Sequence, residues 1–371
     1  MRVAIDCRSF LKRQYTGIGR YAYHLVKSLT EIDRNNEFQL YARKRLFDFH
    51  KQLPRFQAKN FTPHIDRFNR GPAHTLKDTD IFHFPSPSEL KAPHSAKIIV
   101  TVHDLIFKAF PEGHTRATIE LGCQQFEDIK KKASHIICCS QSTVNDLQKY
   151  FQIPKEKISL VDQGVNKNTF YTLEEQERLL AHRVIQEKGI EGPFILSVGT
   201  IEPRKNLVNL IYAFSQLKSA KKFSGVLVVA GMKGWMSEDL GALIEKLQLK
   251  DDIIFLGYLS NQELCYFYNL AKVFVFPSLY EGFGFPIVEA FCCSVPVVTS
   301  NVSSCPEVAG DAALMVDPKN SEEIAQAIDQ IISDLSLADL LKQKGLLRAE
   351  NFSFKKTAME TLRVYNEVYQ L

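Results

Sequence analysis

The sequence of 371 residues lacks any apolar run that approaches the roughly 20 residues needed to cross a bilayer. Its longest apolar runs, AKIIVTV and GVLVVAGM, have the length of buried strands. The first residues, MRVAIDCRSF, also lack a signal-peptide pattern, because they run directly into a strand-like segment. We therefore expect a cytoplasmic protein.

Patterns typical of metal sites are missing as well. The eight cysteines include no C-x-x-C pair, and four of them form two directly adjacent pairs, at 138–139 and 292–293. Adjacent thiolates rarely converge on one ion, so we expect buried thiols in a reducing compartment. No D-x-D element occurs in a loop that follows a strand. These absences predict a protein that uses no metal and no cofactor.

Nucleotide-binding motifs are weak. No G-x-x-x-x-G-K-[ST] loop is present, which argues against a P-loop nucleotidase. Gly17, Gly19 and Ala22 match G-x-G-x-x-A, but the insertion SFLKRQYT precedes them and the second strand runs into RKR instead of an acid. A dehydrogenase is therefore disfavoured. Two glycines ahead of a helix still let backbone N–H groups approach a phosphate, and a plain tight turn is the alternative.

The sequence does contain a regular alternation of short apolar runs and amphipathic segments, in two series. The first series has the strand candidates RVAID, EFQLYA, DIFHF, KIIVTV, HIICCS and ISLV; the second has FILSVG, GVLVVAG, IIFLG, VFVFPS, VPVVTS and AALMV. Near-continuous apolar strands separated by helices indicate parallel sheets covered on both faces. The predicted fold class is α/β, with two doubly wound domains that bind ligands in the loops after their strands.

A charged segment, LEEQERLLAHRVIQEKGIEGP, separates the two series. It ends in Gly189, Gly192 and Pro193, which predicts a hinge between the domains. We therefore assign residues 1–180 to a first domain and residues 193–353 to a second.

Positive charge is concentrated between residues 41 and 70. Eight basic residues in this stretch accompany only two acids, and five phenylalanines are interleaved with them: Phe47, Phe49, Phe56, Phe61 and Phe68. Such a mixture can form a face for a membrane surface or an anionic ligand. A solvated face over ordinary core phenylalanines explains the pattern equally well.

His103 and Asp104 leave the strand KIIVTV at its carboxyl end. A carboxylate beside an imidazole can orient the ring and raise its basicity. A satisfied loop histidine is the ordinary alternative, but the position at the end of a strand favours a functional role.

Arg204 and Lys205 follow the first strand of the second series, where a helix begins. Cations at a helix N-terminus oppose the macrodipole, so their placement is unfavourable unless an anion lies between them and the helix. An arginine beside a lysine suits a diphosphate. Two solvated surface charges would explain the residue types but not their placement, and no structural partner for Lys205 is evident.

The segment SLYEGFGFPIVEAF places Glu281 in a glycine-rich loop and Glu289 near the end of the first turn of the next helix. The loop glycines allow the backbone close to a ligand, so its amides can meet a phosphate. Carboxylates can accept hydrogen bonds from sugar hydroxyls. An acid that complements the helix dipole would explain Glu289 alone, but not Glu281 and the two glycines.

The motifs EGFGFPIVE, GTIEPRKN, GIGRY and TVHD together resemble those of family-four retaining glycosyltransferases, in the family's order and over essentially the whole chain. The E-x7-E element with its helix is the most specific of them. The resemblance implies the GT-B fold of two facing Rossmann-like domains. It implies a nucleotide-sugar site mostly in the second domain, an acceptor site mostly in the first, and no metal. It also implies that the last helix, 354–371, packs back on the first domain.

The same resemblance assigns roles to residues of the second domain. Glu281 would contact the hydroxyls of the donor sugar, and Glu289 the ribose. Arg204 and Lys205 would clamp the diphosphate. Some family members carry an arginine where this chain has Thr200, so Arg204 is expected to neutralise more of the charge.

In the first domain, the resemblance implies that Gly19 approaches the phosphates and that His103 lies near the transferred sugar. The other expected substrate-binding residues are Gly17, Asp104, Gly282, Phe283, Gly284, Phe285 and Ile287.

We therefore expect a metal-independent, retaining hexosyltransferase that uses a GDP- or UDP-sugar. GDP-mannose is the first choice, because TVHDL with GTIEPRKN resembles mannosyltransferases of bacterial surface-polysaccharide synthesis. The expected acceptor is a glycan or a polyprenyl-linked sugar at the inner face of the membrane, and no nucleic acid is involved. Fixed cations and backbone dipoles would stabilise the leaving diphosphate. The alternatives are a nucleotide-sugar epimerase of similar fold and a non-catalytic sugar-nucleotide-binding protein.

Overall fold

The computed structural model describes residues 1–11, 17–44, 48, 52–76, 78–234 and 239–371. The chain forms two compact units, Met1–Gly164 with Ser353–Leu371, and Val165–Phe352. Each unit contains one parallel sheet whose strands alternate with helices along the chain, as the sequence predicted.

The first unit is built on a seven-stranded sheet. Its strands are Arg2–Asp6 (β1), Glu37–Arg43 (β2), Phe61–Asp66 (β3), Ile81–Phe84 (β4), Lys97–Val102 (β5), His135–Cys138 (β6) and Ile158–Leu160 (β7). Its helices are Gly17–Ile32 (α1), Pro72–Thr75 (α2), Ile106–Ala109 (α3), Arg116–Lys132 (α4) and Gln141–Phe151 (α5). The spatial order is β3-β2-β1-β4-β5-β6-β7, so the direction of strand addition reverses between β1 and β4. Every residue of β4 and β6 is buried, as expected for a sheet covered on both faces.

The second unit is built on a six-stranded parallel sheet. Its strands are Phe194–Val198 (β8), Val226–Ala230 (β9), Ile253–Gly257 (β10), Val273–Phe276 (β11), Val297–Ser300 (β12) and Ala313–Val316 (β13). Its helices are Glu175–Glu187 (α6), Leu207–Ser219 (α7), Asp239–Lys246 (α8), Asn261–Leu270 (α9), Phe285–Cys292 (α10), Cys305–Ala309 (α11), Ser321–Ser333 (α12) and Leu335–Ala349 (α13). The spatial order is β10-β9-β8-β11-β12-β13, with the reversal between β8 and β11.

The last helix, Phe354–Gln370 (α14), belongs to the first unit, where it packs along α1. Ala358, Val364 and Val368 on this helix share a buried core with Leu25 and Val26 of α1. The chain leaves the first unit at Gly164, where an added Cβ would lie only 2.1 Å from the backbone nitrogen at the start of α14. Glycine is therefore needed at position 164, where the chain leaves the first unit close to the point at which it returns at Ser353.

The boundary between the units lies earlier than the sequence predicted. The first unit ends at Gly164 and not near residue 180, because α6 packs against α9 of the second unit. Lys188 forms a 2.8 Å ion pair with Glu263 of α9, and the amide of Leu173 donates to Asn269 Oδ1 at 2.9 Å. The segment predicted to be a hinge is thus held within the second unit.

Candidate functional site

The candidate donor site lies at the reversal point of the second sheet. The strands β8 and β11 are neighbours, and the loop after each carries predicted site residues. In open parallel sheets, ligands bind outside the carboxyl ends of the strands at such a reversal. The topology therefore brings Arg204 and Lys205, in the loop after β8, to the same edge as Glu281 in the loop after β11.

The loop after β8 is tied to its neighbours by Asn206. This residue has a left-handed backbone conformation (φ 59°) and separates a single 3-10 turn, Pro203–Lys205, from α7. Its amide group donates to the carbonyl oxygens of Pro277 at 2.9 Å and Pro318 at 2.5 Å. The two cations thus precede α7 on a fixed turn, as the sequence predicted for the start of a helix.

Glu281 is the partner of both cations. Arg204 Nη1 lies 2.7 Å from Glu281 Oε2, and Lys205 Nζ lies 2.5 Å from Glu281 Oε1. Arg204 Nε also lies 2.5 Å from Glu202 Oε1. The prediction that Lys205 has no structural partner is therefore wrong, because its ammonium donates to the carboxylate of Glu281, 76 positions further along the chain.

The electrostatics of this cluster fix the charge of Glu281. Burial by itself raises the pKa of the carboxyl, but the charges of Arg204 and Lys205 outweigh it and lower the pKa to about 2. Burial lowers the pKa of the Lys205 ammonium, and the charge of Glu281 opposes this shift. Opposite charges held out of water interact more strongly than at a solvated surface, so the cluster is a preorganised arrangement of charge.

The Lys205 side chain lies in a tight channel. Its ammonium lies 4.5 Å from the centre of the Phe276 ring. A Cβ at position 199 would come within 2.9 Å of Lys205 Cε, and Gly199 has φ +148°, which L residues rarely adopt. Glycine at this strand end therefore makes room for the lysine. Thr200, the next residue, is exposed.

The glycine-rich loop after β11 is held by two serines that the sequence analysis missed. The amide of Glu281 donates to Ser303 Oγ at 2.9 Å. Ser304 Oγ donates to the carbonyl oxygens of Glu281 at 3.0 Å and Phe283 at 2.8 Å. Both serines lie in the loop after β12, the strand next to β11. A pair of polar residues after that strand was the sequence signal that could have identified them.

The start of α10 follows from local sequence. Gly284 has φ +105° and immediately precedes the helix, and a proline occupies its first turn. Glu289 lies one turn inside, is buried, and accepts a hydrogen bond from Tyr268 of α9 at 3.2 Å. The two glutamates are therefore both buried but have different partners.

The other predicted residues of the glycine-rich loop and of α10 differ in how far they are buried. The side chains of Phe283 and Ile287 are buried, and Phe283 packs edge-on against Phe285 at 5.2 Å. Gly282 and Phe285 are partly buried. Contacts to a ligand from Phe283 and Ile287 would thus come from the backbone.

A second group of predicted residues lies at the reversal point of the first sheet. Gly17 and Gly19 form the start of α1, with Gly17 exposed and Gly19 buried. Residues 12–16 of the preceding loop lie outside the described part of the chain. Tyr21, one turn further on, places its ring edge-on to His103 with centroids 5.0 Å apart. The N-terminal half of α1 therefore contacts His103.

His103 is oriented by groups other than Asp104. Its Nε2 lies 2.7 Å from the carbonyl oxygen of Pro85, and its Nδ1 lies 2.7 Å from Gln163 Nε2. Asp104 instead accepts from the backbone amide of Ile106 at 3.1 Å, at the start of α3.

The charge of Asp104 does act to raise the basicity of His103, as predicted, but the net pKa of the imidazole is lowered. Burial lowers the pKa of the imidazole and outweighs both the hydrogen bond to Pro85 and the charge of Asp104, which act to raise it. Gln163, near the end of the first unit, is a site residue that the sequence analysis missed, because no motif marks it.

The basic stretch 41–70 is only partly described. Arg43 is exposed and donates to Asn69 at 2.9 Å, and Phe68 is 69% exposed with the Arg70 guanidinium 5.6 Å from its ring. Phe61 is buried and stacks on Phe38 at 4.2 Å. The predicted residues Arg45, Phe47, Phe49 and Lys51 lie outside the described residues. Described phenylalanines of the stretch thus serve both the core and the surface.

Two features are absent from the described residues. No helix among them has the length and apolarity needed to cross a membrane. No group of three or more His, Cys, Asp or Glu side chains is placed to hold a metal ion in the same part of the chain.

Family models match most of the chain. Residues 15–169 match the family described as Glycosyltransferase Family 4, and residues 181–347 match the family described as Glycosyl transferases group 1. The chain belongs to the glycosyltransferases. Every candidate residue of the first unit, Gly17, Gly19, His103, Asp104 and Gln163, falls in the first match. Arg204, Lys205, Glu281 and Glu289 fall in the second.

Named relatives are similar over different lengths. The chain is 29% identical to O-antigen chain mannosyltransferase B of Escherichia coli, over 96% of this chain and 97% of that protein. It is 30% identical to the serotype-specific mannosyltransferase WbdA of Escherichia coli, over 65% of this chain but only 29% of that protein.

Solved structures confirm the fold class. Sucrose-phosphate synthase from Thermosynechococcus elongatus matches with a TM-score of 0.78 at 20% identity, covering 100% of this chain and 99% of that one. WaaG, a glycosyltransferase involved in lipopolysaccharide biosynthesis, matches with a TM-score of 0.70 at 14% identity, over 98% and 99% of the two chains. The fold of this glycosyltransferase is GT-B.

Proposed function

We propose that the protein transfers a hexose from a nucleoside-diphosphate sugar, with retention of configuration, to a growing surface polysaccharide. The observation that carries the proposal is the convergence of Arg204 and Lys205 on Glu281 at the reversal point of the second sheet. Mannose from GDP-mannose is the first donor to test, because relatives of this chain are named as O-antigen mannosyltransferases.

The two cations suit a leaving diphosphate. As the bond between the sugar carbon and the phosphate oxygen breaks, negative charge develops on that oxygen. Arg204 and Lys205 are already oriented, so they would stabilise the charge without reorganising at the moment of reaction. We propose that fixed cations and backbone amides of the glycine loop take the place of a metal ion, and that no cofactor is required.

The two glutamates divide the recognition of the donor. Glu281 is held ionised in the loop and would accept hydrogen bonds from hydroxyls of the sugar. Glu289, one turn inside α10, would accept from the ribose. In the first unit, Gly19 would approach the phosphates through its backbone, and His103 would lie near the transferred sugar.

The acceptor proton needs a base, and His103 does not fit that role. Its Nε2 lies within hydrogen-bond distance of a carbonyl oxygen, and its Nδ1 lies beside an amide donor. We propose that an oxygen of the departing diphosphate takes the proton. The acceptor oxygen then bonds to the sugar carbon on the face that the diphosphate leaves, which retains the anomeric configuration.

The acceptor belongs to the same proposal. A relative with 30% identity over 62% of this chain is named as a transferase acting on a diphospho-undecaprenol-linked sugar. We propose a glycan or polyprenyl-linked acceptor for this protein, reached at the inner face of the membrane. Arg43, Lys44, Phe68 and Arg70 would provide the described part of the membrane contact.

A thermal-shift screen across GDP-, UDP- and ADP-sugars tests the donor. A ligand that binds only the folded state raises the melting temperature, so GDP-mannose should raise it more than UDP- or ADP-sugars do. Incubation with the bound donor alone separates the alternatives: an epimerase would isomerise it, whereas a transferase needs an acceptor to consume it at full rate. Binding without turnover on any glycan or polyprenyl-linked acceptor would favour the non-catalytic alternative.

A further inference from the structure

Gln163 makes a side-chain contact with His103 that the transfer mechanism above uses only to exclude His103 as the base. We infer that Gln163 is a positioning residue, which keeps His103 in its neutral, Nε2-protonated form while the sugar is transferred. The inference rests on the role proposed for His103 beside the transferred sugar.

The hydrogen-bond partners of His103 allow one protonation state. The carbonyl oxygen of Pro85 can only accept, so Nε2 at 2.7 Å must carry a hydrogen. The amide nitrogen of Gln163 can only donate, so Nδ1 at 2.7 Å must present its lone pair. A doubly protonated ring would direct an N–H group at the NH2 group of Gln163. The two partners together therefore select the neutral ring.

The orientation of the Gln163 amide is consistent with this assignment. The side chain is 1% exposed, and its Oε1 has no hydrogen-bond partner among the described residues. Turning the amide over would place Oε1 against Nδ1, which would then need a hydrogen while Nε2 still donates to Pro85, and burial disfavours that doubly protonated ring. The contact with His103 is therefore the hydrogen bond that the buried amide makes in the described part of the chain.

Of the groups around the ring, the charge of Asp104 and the carbonyl oxygen of Pro85 favour its charged form, but burial outweighs both. Tyr21 presents a ring edge, and the thiol of Cys139 donates to the His103 carbonyl oxygen at 3.0 Å. Asp104 is engaged with the first turn of α3. Burial lowers the pKa of the nearby His83 to about 3, so that imidazole is neutral as well. Burial also lowers the pKa of His103.

A neutral His103 suits the proposed chemistry. Positive charge develops on the sugar carbon as the diphosphate departs, and an imidazolium beside it would oppose that charge. A ring whose nitrogens are both engaged also takes no proton from the acceptor. Gln163 thus disfavours the imidazolium form of His103 and also keeps His103 from acting as a base.

The test replaces the amide donor by a carboxylate of nearly the same shape. In Gln163→Glu the new carboxylate can accept from Nδ1, so His103 should become doubly protonated near neutral pH. Nitrogen-15 NMR of histidine-labelled protein reports this directly, with the His103 signals assigned by their loss in His103→Asn. Wild type should show one protonated and one unprotonated ring nitrogen, and Gln163→Glu should show two protonated ones.

Turnover should follow the protonation state. We expect kcat of Gln163→Glu to fall on the order of 10-fold or more at neutral pH, with the KM for the donor changed much less. Activity should recover as the pH is raised and the ring loses its second proton, whereas wild-type kcat should lack this rise. The control Gln124→Glu makes the same chemical change at an exposed position of α4 and should match wild type.

A second variant covers a failure of Gln163→Glu to fold. Gln163→Met keeps an unbranched side chain but removes the donor, so Nε2 still donates to Pro85 while Nδ1 becomes free to take a proton. The ring should therefore gain its second proton at a higher pH than in the wild type, and kcat should fall over the pH range in which it does. A ring that gains its second proton at the same pH as in the wild type, in either folded variant, would overturn the inference. So would a charged ring in Gln163→Glu with wild-type kcat. Failure of every donor to support transfer would instead contradict the proposed function and leave the NMR result standing.

Discussion

At the scale of single residues, the candidate donor site depends on one buried carboxylate. Glu281 holds Arg204 and Lys205 in place and is itself kept ionised by them. Removing one member of a buried charged cluster leaves the others incompletely paired, so each substitution has effects on activity and on stability that can be measured separately.

Lys205→Ala should lose most transfer activity while the protein stays folded. The ammonium is expected to bind the diphosphate more strongly in the transition state, so kcat should fall on the order of 100-fold or more. The fold should persist because Glu281 keeps its 2.7 Å ion pair with Arg204. Steady-state kinetics and thermal unfolding measure the two effects. The control is Lys222→Ala, a half-exposed lysine of the same unit, and activity of Lys205→Ala within a few-fold of wild type would end the assignment.

The stability of the protein should report the ionisation of Glu281. The folded-state pKa of this carboxyl is about 2, against 4.5 for an ordinary glutamate. Because the folded value is the lower one, ionised Glu281 stabilises the fold above about pH 4.5, and this contribution is lost as the pH falls toward 2.

In Glu281→Gln the pH-dependent contribution of this carboxyl to the free energy of unfolding is absent. The difference in free energy of unfolding between wild type and variant should therefore narrow as the pH falls from about 4.5 toward 2. Urea unfolding at several pH values measures it, with exposed Glu322→Gln as the control. A difference that stays constant across this range would contradict the lowered pKa.

The sequence predicted the residues of this cluster better than their contacts. Strand ends, glycines and a misplaced pair of cations indicated where to look. They could not indicate that Lys205 meets Glu281, or that Gln163 and not Asp104 orients His103, because both contacts join residues far apart in sequence. The tertiary fold determines such pairs, and local sequence patterns do not reveal them.

At the scale of elements, α14 is attached to the first unit by a buried polar chain as well as by apolar packing. Tyr365 OH lies 2.6 Å from His83 Nδ1 in β4, and His83 Nε2 lies 2.8 Å from Thr101 Oγ1 in β5. Thr101 Oγ1 in turn lies 3.3 Å from the hydroxyl of Tyr21 in α1. Four elements are thus joined through groups that are withdrawn from water.

Tyr365→Phe should destabilise the protein without changing its shape. Loss of the hydroxyl leaves a buried imidazole nitrogen without its partner, at a cost of about 1–3 kcal/mol. Urea unfolding measures the change. Tyr369→Phe removes the same atom from a half-exposed position of α14 and should stay within about 0.5 kcal/mol of wild type. Equal stability of the two variants would contradict a structural role for the buried chain.

The elements themselves were largely predictable. All twelve strand candidates form strands, because apolar β-branched runs bounded by turns are a strong local signal. The thirteenth strand, β3, was missed, since Pro63 interrupts its pattern; the strand tolerates this proline because it lies at the edge of the sheet. The boundary between the units was missed because α6 has its own amphipathic pattern, which does not reveal the unit on which it packs.

At the scale of the whole molecule, a lipid-linked acceptor would require this glycosyltransferase to contact the membrane surface. Anionic headgroups attract basic residues by about 1 kcal/mol for each one close to the surface. An exposed phenylalanine such as Phe68 can then enter the interface. The stretch from 41 to 70 is the best candidate for this contact.

Replacing Arg43, Lys44 and Arg45 with glutamate should weaken sedimentation with anionic vesicles. Binding of the wild type should fall as salt is added, because screening shortens the reach of the charges. The thermal shift produced by the donor should be unchanged, since the proposed donor residues lie in the second unit. Equal sedimentation of wild type and triple variant at low salt would favour a soluble acceptor.

The most direct test of the central claim is the configuration of the product formed in the presence of a chelator. The protein is incubated with GDP-mannose and a glycan or polyprenyl-linked acceptor in excess EDTA, and proton NMR determines the anomeric configuration of the new linkage. The account predicts turnover equal to that without EDTA and a linkage with the configuration of the donor. An inverted linkage, or a loss of turnover that Mn²⁺ or Mg²⁺ restores, would contradict it.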